Sequence, residues 1–173
     1  MTSVTPDPAG ESLNERFRAG FRRHAAGVSL VTCATPDGPV GLTASSVASV
    51  SATPPMLSFS VLRSSESGAV LVSSERLSVT VLGEDDAEVA AAFARRGAER
   101  FTPDQGWVDG DGGLPVLKTA PVVMWGRTAR VIPAGESWLV LVEVTDVELG
   151  PAAGPLVYWN RGYRRATDPL PGR

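Results

Sequence analysis

Short runs in which apolar residues alternate with serine and threonine set the strongest limit on what this chain can fold into. In Arg76-Leu77-Ser78-Val79-Thr80-Val81 every second residue is apolar, and Met56–Leu62 repeats the pattern with Leu57, Phe59 and Val61 opposite Ser58 and Ser60. Successive side chains of a strand point to opposite faces, so a period of two marks half-buried strands. Val28–Thr35 is β-branched and short, and Pro36-Asp37-Gly38-Pro39 is turn chemistry before Val40–Thr43. Pro121–Ile132 and Ser137–Leu149 flank Pro133-Ala134-Gly135-Glu136 and read as a long hairpin. In its second arm the inward set moves, after Val144, from even positions to Val147 and Leu149, as a bulge or barrel corner would require. Six or seven antiparallel strands this short predict a small closed barrel, since closure removes exposed edges.

Helices interrupt the strands at three places. Ser12 and Glu15 have capping-box spacing, Leu13, Phe17 and Phe21 recur every four residues, and Gly27 is the expected end. A second helix is expected after Ser64-Ser65-Glu66-Ser67, carrying Val70 and Leu71; a third runs from Asp85-Asp86 through Val89 and Phe93 to Gly97. Pro103–Gly113 reads as a Gly/Asp-rich loop. With 173 residues, 43% hydrophobic and 20% charged, the chain is of globular composition and can bury roughly 70% of its unfolded surface. The expected organisation is a flexible arm over residues 1–10, one domain over 11–165 and a polar tail over 166–173. Met1–Gly10 lacks a signal-peptide pattern, and runs such as Ala120–Trp125 are too short to span a bilayer, so the expectation is a soluble, cytoplasmic protein with no membrane contact.

Scarcity excludes much chemistry. The single cysteine, Cys33, permits no internal disulfide and no thiolate-cluster zinc site, and the single histidine, His24, permits no multi-histidine metal site; no metal is expected. His24 follows Phe21-Arg22-Arg23 at the end of a helical pattern, where a cation suits the helix dipole, so a structural role is preferred to catalysis. Lys118 is the only lysine, GxxxxGK[ST] is missing, and Gly110-Asp111-Gly112-Gly113 does not extend to GxGxxG. A net charge of −3 with dispersed charges gives no footprint for nucleic acid.

What remains is a concentration of hydroxyls: fifteen Ser or Thr fall in the thirty-eight residues from Thr43 to Thr80. Strand hydroxyls commonly face solvent, and Ser65 or Ser67 is by default an N-cap. Yet Thr43-Ala44-Ser45-Ser46 follows a strand, and Arg63-Ser64-Ser65-Glu66-Ser67 opens a helix. Hydroxyls, bare backbone N–H groups, a helix N-terminus and a guanidinium together also make a cradle for a phosphate or heterocycle.

The order of motifs resembles a known family. Gly27-Val28-Ser29-Leu30-Val31-Thr32, Gly41-Leu42-Thr43-Ala44-Ser45-Ser46 and Ser49-Val50-Ser51-Ala52-Thr53-Pro54-Pro55 are followed by Ser78-Val79-Thr80-Val81-Leu82, by Phe93-Ala94 with Arg100-Phe101, and by Pro155-Leu156-Val157-Tyr158 with Arg161-Gly162-Tyr163. From Phe17 to Arg165 this is similar to the flavin reductase-like family of FMN-binding split barrels. The resemblance implies a mainly β fold, a six-stranded antiparallel split barrel of Greek-key type with a few peripheral helices, forming a homodimer with the flavin near the interface. It implies flavin contacts from Gly41, Leu42, Thr43, Ala44, Ser45 and Ser46, and from Ser60, Val61 and Leu62. Arg63, Ser65, Glu66, Ser67 and Arg100 are implied near the flavin and its phosphate, and Asn160, Arg161, Gly162 and Tyr163 where nicotinamide binds.

The implied activity is NAD(P)H:flavin oxidoreduction, with FAD or FMN as substrate and NADH, or NADPH, as donor. NADH is preferred because no Arg/Lys pair is placed for a 2′-phosphate. The implied partner is a separate monooxygenase that receives reduced flavin by diffusion. A non-catalytic flavin-binding or electron-relay barrel is the alternative, motivated by two departures: the family's Gly-Asp-His reads Gly135-Glu136-Ser137 here, and a histidine after the C-terminal tyrosine is replaced by Trp159. Hydride transfer needs no protein base, so neither loss removes the reductase reading. Trp159 reads either as a ring-stacking residue or as a barrel-end aromatic, Trp125 and Trp138 as core or interface, and Arg161, Arg164 and Arg165 as a solvated run or as neighbours of a diphosphate. Fifteen arginines to one lysine suggest a GC-rich bacterial gene.

Overall fold

A computed structural model describes residues 12–166; the expected arm over 1–10 and all but Ala166 of the expected tail lie outside the described residues. Helix α1 (Leu13–Phe21) begins at the expected capping box. Ser12 N–H donates to Glu15 Oε2 at 2.7 Å and Glu15 N–H to Ser12 Oγ at 3.3 Å. The Ser12 backbone N–H, and after it the Ser12 hydroxyl, which donates to Glu15 Oε2 at 2.8 Å, hold the exposed Glu15 carboxyl below its ordinary pKa. The helix stops well before Gly27, which lies instead in β1 (Ala26–Gly27). The C-terminal hairpin claims this segment: β1 pairs with β11 (Leu156–Trp159), and Asn160 N–H donates to Arg22 O.

The main sheet is built from β2 (Ser29–Thr35), β3 (Gly38–Ala44), β4 (Ala48–Ala52), β5 (Pro55–Leu62), β6 (Arg76–Val81), β9 (Val122–Ala134) and β10 (Ser137–Leu149). Helix α2 (Glu66–Ser73) joins β5 to β6, and α3 (Ala87–Ala94) follows β6. The antiparallel order β3-β2-β6-β9-β10-β5-β4 has seven strands rather than six, and its ladder does not close, correcting the expectation of a closed barrel. One side chain bridges the gap instead. Ser60 N–H donates to Ser46 Oγ at 2.9 Å and the Ser46 hydroxyl donates to Ser60 O at 3.2 Å, tying the link after β3 to β5.

The stretch read as loop contains β7 (Trp107–Asp109), which pairs with β8 (Pro115–Leu117) just beyond it, because Trp107 and Leu117 pack into a core. β12 (Gly162–Arg165) completes a three-stranded sheet with β1 and β11.

Apolar residues divide between the two faces of the sheet. Leu57, Phe59 and Val61, as expected, join Val31, Cys33, Leu71, Leu77, Val79 and Val140 on one side. Leu30, Leu82, Phe93, Leu117, Trp125 and Leu156 form the other. The adjacent interior strands β2 and β6 are therefore covered on both faces. Ser78 and Thr80, expected on an open polar face, are fully buried; Thr32 Oγ1 and Ser78 Oγ lie 2.6 Å apart, and Ser78 donates to Pro115 O. Burial pushes the Cys33 thiol above its ordinary pKa, so it is no nucleophile.

The β9–β10 hairpin carries register shifts at Leu141/Val142 and Val144/Asp146, the second where the alternation slips. Val147 and Leu149 nevertheless remain exposed, contrary to expectation, because β10 has left the core beyond that bulge. The turn is two residues, Gly135-Glu136, since Pro133 and Ala134 still pair with β10.

Opposite the bulged region Gly126 has no room for a side chain: a Cβ there would lie 2.5 Å from Val142 Cγ1 and 2.6 Å from Glu143 O. Gly126→Ala is expected to cost about 1–3 kcal/mol through this overpacking. Urea unfolding should show a lower midpoint at unchanged slope; an unchanged midpoint would contradict the packing described.

Candidate functional site

Four elements surround a cleft of about 750 Å³: β3, the end of β5, the N-terminus of α2 and the segment after α3. Gly41, Leu42 and Thr43 form one wall and Ser60, Val61 and Leu62 another, with Ser64–Ser67 at one end and Phe93, Arg96, Arg100 and Phe101 facing them. Thr43 donates its hydroxyl to Ala90 O at 2.6 Å, fixing β3 against α3.

The chain after Leu62 must turn sharply to start α2. Ser65 N–H donates to Leu62 O at 3.0 Å, and Ser65 Oγ caps the helix by accepting from Gly68 N–H at 3.0 Å. Gly68 lets the helix lie directly on Val61, where a Cβ would collide. The N–H groups of Glu66 and Ser67 find no acceptor among the described residues. Such first-turn donors, at the positive end of a helix, suit an anion.

Arg100 ties the cleft together. Its Nη1 donates to Gly41 O at 2.9 Å and to Ser67 Oγ at 3.1 Å, and Nη2 to Arg95 O at 2.9 Å. Because Ser67 Oγ accepts here, its own proton is left for an acceptor in the cleft. Arg100 Nε is buried without a partner. The next residue, Phe101, has φ +57°, a left-handed conformation rare outside glycine. That turn sets its ring edge-on to Phe93 at 4.8 Å, with Trp107 4.9 Å behind it. At the mouth Arg96 and Glu66, both exposed, form a 2.6 Å ion pair.

The structure thus gathers Gly41, Leu42, Thr43, Ser60, Val61, Leu62, Ser65, Glu66, Ser67 and Arg100 on one cleft. Ala44 is buried in the core, while Ser45 and the Ser46 tie lie in the link to β4. Arg63 is not on the wall: its guanidinium lies over the Trp138 ring at 4.4 Å, and its N–H donates to Glu136 O. A cation stacked on an aromatic face holds it there, away from the cleft wall.

Asn160, Arg161, Gly162 and Tyr163 form the β11–β12 turn and the start of β12, and none lines the cleft. Asn160 and Arg161 take φ +47° and +64°, as a two-residue hairpin turn of this hand needs. Burial, helped by Tyr158, pushes the Tyr163 phenol above its ordinary pKa, so it stays protonated across neutral pH. Trp159 is partly exposed, and His24 lies edge-on to Phe21 at 5.9 Å.

Sequence reasoning did not place Arg96 at the cleft. Arg95-Arg96-Gly97 reads as an ordinary helix end, and only the topology sets it opposite Glu66. Chemically, the cleft combines backbone and hydroxyl walls, an aromatic side and one positive end. It can hold a planar molecule with an anionic tail, and no histidine or cysteine lines it.

The family model described as flavin reductase like domain matches residues 21–167. The NADH:FMN oxidoreductase of Rhodococcus qingshengii is 40% identical over 169 residues, covering 95% of this chain and 88% of that one. The 4-hydroxyphenylacetate 3-monooxygenase reductase component of Pseudomonas aeruginosa is 34% identical, covering 92% and 95%. The crystal structure of a flavin reductase domain protein from Arthrobacter sp. FB24 superposes with a TM-score of 0.85 at 35% identity, covering 91% of this chain and 98% of that one.

If Arg100 is the tie that holds the cleft, Arg100→Ala should destabilise the protein by about 1.5–3 kcal/mol, the usual loss when hydrogen bonds to a charged group go. Arg63→Ala, which removes a surface cation–π contact, should cost about 1 kcal/mol or less. Parallel urea unfolding curves decide; equal costs would remove the distinction.

Proposed function

Since the chain belongs to the flavin reductase-like family, we propose that it is an NADH-dependent flavin reductase that takes FMN or FAD as substrate and supplies reduced flavin to a separate monooxygenase. The observation that carries this reading is the pairing, within one cleft, of flat backbone walls with an anion-binding end. The cleft's volume lies within the usual range for small-molecule sites. The acceptor-free N–H groups of Glu66 and Ser67 and the unpartnered Arg100 Nε are what a phosphate-bearing ligand would be expected to complete.

In this reading Gly41, Leu42 and Thr43, with Ser60, Val61 and Leu62, hold the ring system; Ser65, Ser67, Arg96 and Arg100 hold the phosphate. Arg63 is left outside it. When bound, flavin supplies the redox chemistry by accepting a hydride from reduced nicotinamide. The protein's part is to bind, orient and exclude water, which is sufficient where cofactors carry the electronics. Asn160–Tyr163 remain the proposed nicotinamide contacts, on motif alone. Ser137, standing where the family has histidine, pairs with Leu62 on the cleft wall, so a hydroxyl takes that place.

The relatives' named activities favour an enzyme over a non-catalytic flavin carrier, and the Pseudomonas aeruginosa relative's name points to a monooxygenase partner. Transfer by free diffusion is the simplest arrangement. A homodimer is supported by the apolar face of α1: Leu13, Phe17 and Phe21 are each at least 60% exposed. No helix among the described residues is long and apolar enough to cross a membrane. Use of NADH is the ground for placing the enzyme in the cytoplasm.

The purified protein should oxidise NADH only when FMN or FAD is added, and should behave as a dimer in light scattering. Ser67→Ala should raise the KM for FMN about tenfold, as expected for loss of a charge-assisted bond, and leave that for riboflavin nearly unchanged. Lack of flavin-dependent turnover would overturn the function, and equal effects on both flavins would overturn the phosphate assignment.

A further inference from the structure

Among the described residues Glu66 is the only acidic side chain on the cleft wall, and it stands where a ligand's phosphate is expected. It is the first residue of α2, at the helix end whose partial positive charge attracts anions. Its carboxylate accepts from Arg96 Nη2 at 2.6 Å. Arg96 approaches from the segment after α3, so the pair links two sides of the mouth, and both side chains are more than four-fifths exposed. The fixed cation of the cleft, Arg100, is engaged with Gly41, Ser67 and Arg95 and does not reach Glu66. Arg96 is thus the movable positive charge, and Glu66 already occupies it.

We propose that Glu66 is a built-in competitor for the phosphate of the flavin, an inference that rests on the flavin reading above. An exposed ion pair contributes little stability, so an incoming phosphate can take Arg96 from Glu66. The displaced carboxylate then remains on the same helix turn as the bound phosphate, and the repulsion is present only in the complex. The consequence is a flavin held loosely enough to exchange at each turnover. A neutral side chain at position 66 would turn the same cleft toward a retained cofactor. The effect is confined to ligands with a phosphate, because a flavin without one brings no charge to this end.

The test is equilibrium binding, read by quenching of flavin fluorescence, for FMN and riboflavin with wild type, Glu66→Gln and Glu66→Asp, each confirmed folded by circular dichroism. Glu66→Gln should tighten FMN about five- to tenfold, the size of one like-charge contact partly screened by water, and change riboflavin less than about twofold. Glu66→Asp keeps the charge and should stay within about twofold of wild type for both. Unchanged or weaker FMN binding in Glu66→Gln would overturn the proposal, showing that Glu66 is neutral or holds Arg96 for the ligand. Equal tightening in Glu66→Asp would overturn the charge argument. A wild type that binds neither flavin would instead remove the flavin reading itself.

Discussion

The Ser46 hydroxyl, in the short link between the two edge strands β3 and β4, pins that link to the backbone of β5 in a sheet whose ladder never closes. With seven antiparallel strands and the interior strands β2 and β6 buried on both faces, the sheet must curl to cover its own core. The curl carries β3 round to β5, and the reciprocal Ser46–Ser60 bonds fix that approach without a ladder. Everything at the cleft follows from this split. Its walls are strand backbones that share no hydrogen bonds across the gap, so a flat molecule can lie between them. The N-terminus of α2 is delivered to one end because the helix leaves directly from β5.

Arg100 converts that geometry into a site. One guanidinium reaches β3, α2 and the segment after α3, three elements far apart in sequence. It places positive charge beside the helix end while most of its donors are already engaged. The cation is therefore part of the frame rather than a swinging ligand arm. Arg96, held only by an exposed partner at the mouth, has the opposite character. On the proposed reading, the contrast between a fixed and a movable arginine would let one cleft recognise a phosphate and still release it.

Much of this was legible in the sequence, for identifiable physical reasons. Leu57, Phe59 and Val61 point inward because a period of two leaves a strand no other choice, and the Ser12–Glu15 capping box is a local interaction. The slip after Val144 marked the bulge, since register and face are locked together. What stayed hidden depends on contacts between distant segments. Ser78 and Thr80 look like a solvated face until β8 covers them. Val147 and Leu149 look like core until β10 is seen to run past it. Arg63 adjoins the serine-rich turn in sequence and Arg96 does not, yet packing reverses their places: Trp138 takes Arg63, whereas the path after α3 brings Arg96 to Glu66.

The central claim is that the phosphate of the flavin sits at the α2 N-terminus beside Arg100. Titrating the isotopically labelled protein with FMN and with riboflavin, while following backbone amide and arginine Nε resonances, tests it most directly. FMN should move the amides of Glu66 and Ser67 and the Nε of Arg100, whereas riboflavin should move those of Gly41, Leu42 and Thr43 but leave the helix end nearly still. Largest FMN-specific shifts at Arg63 and Trp138, with Ser67 and Arg100 unmoved, would contradict the account.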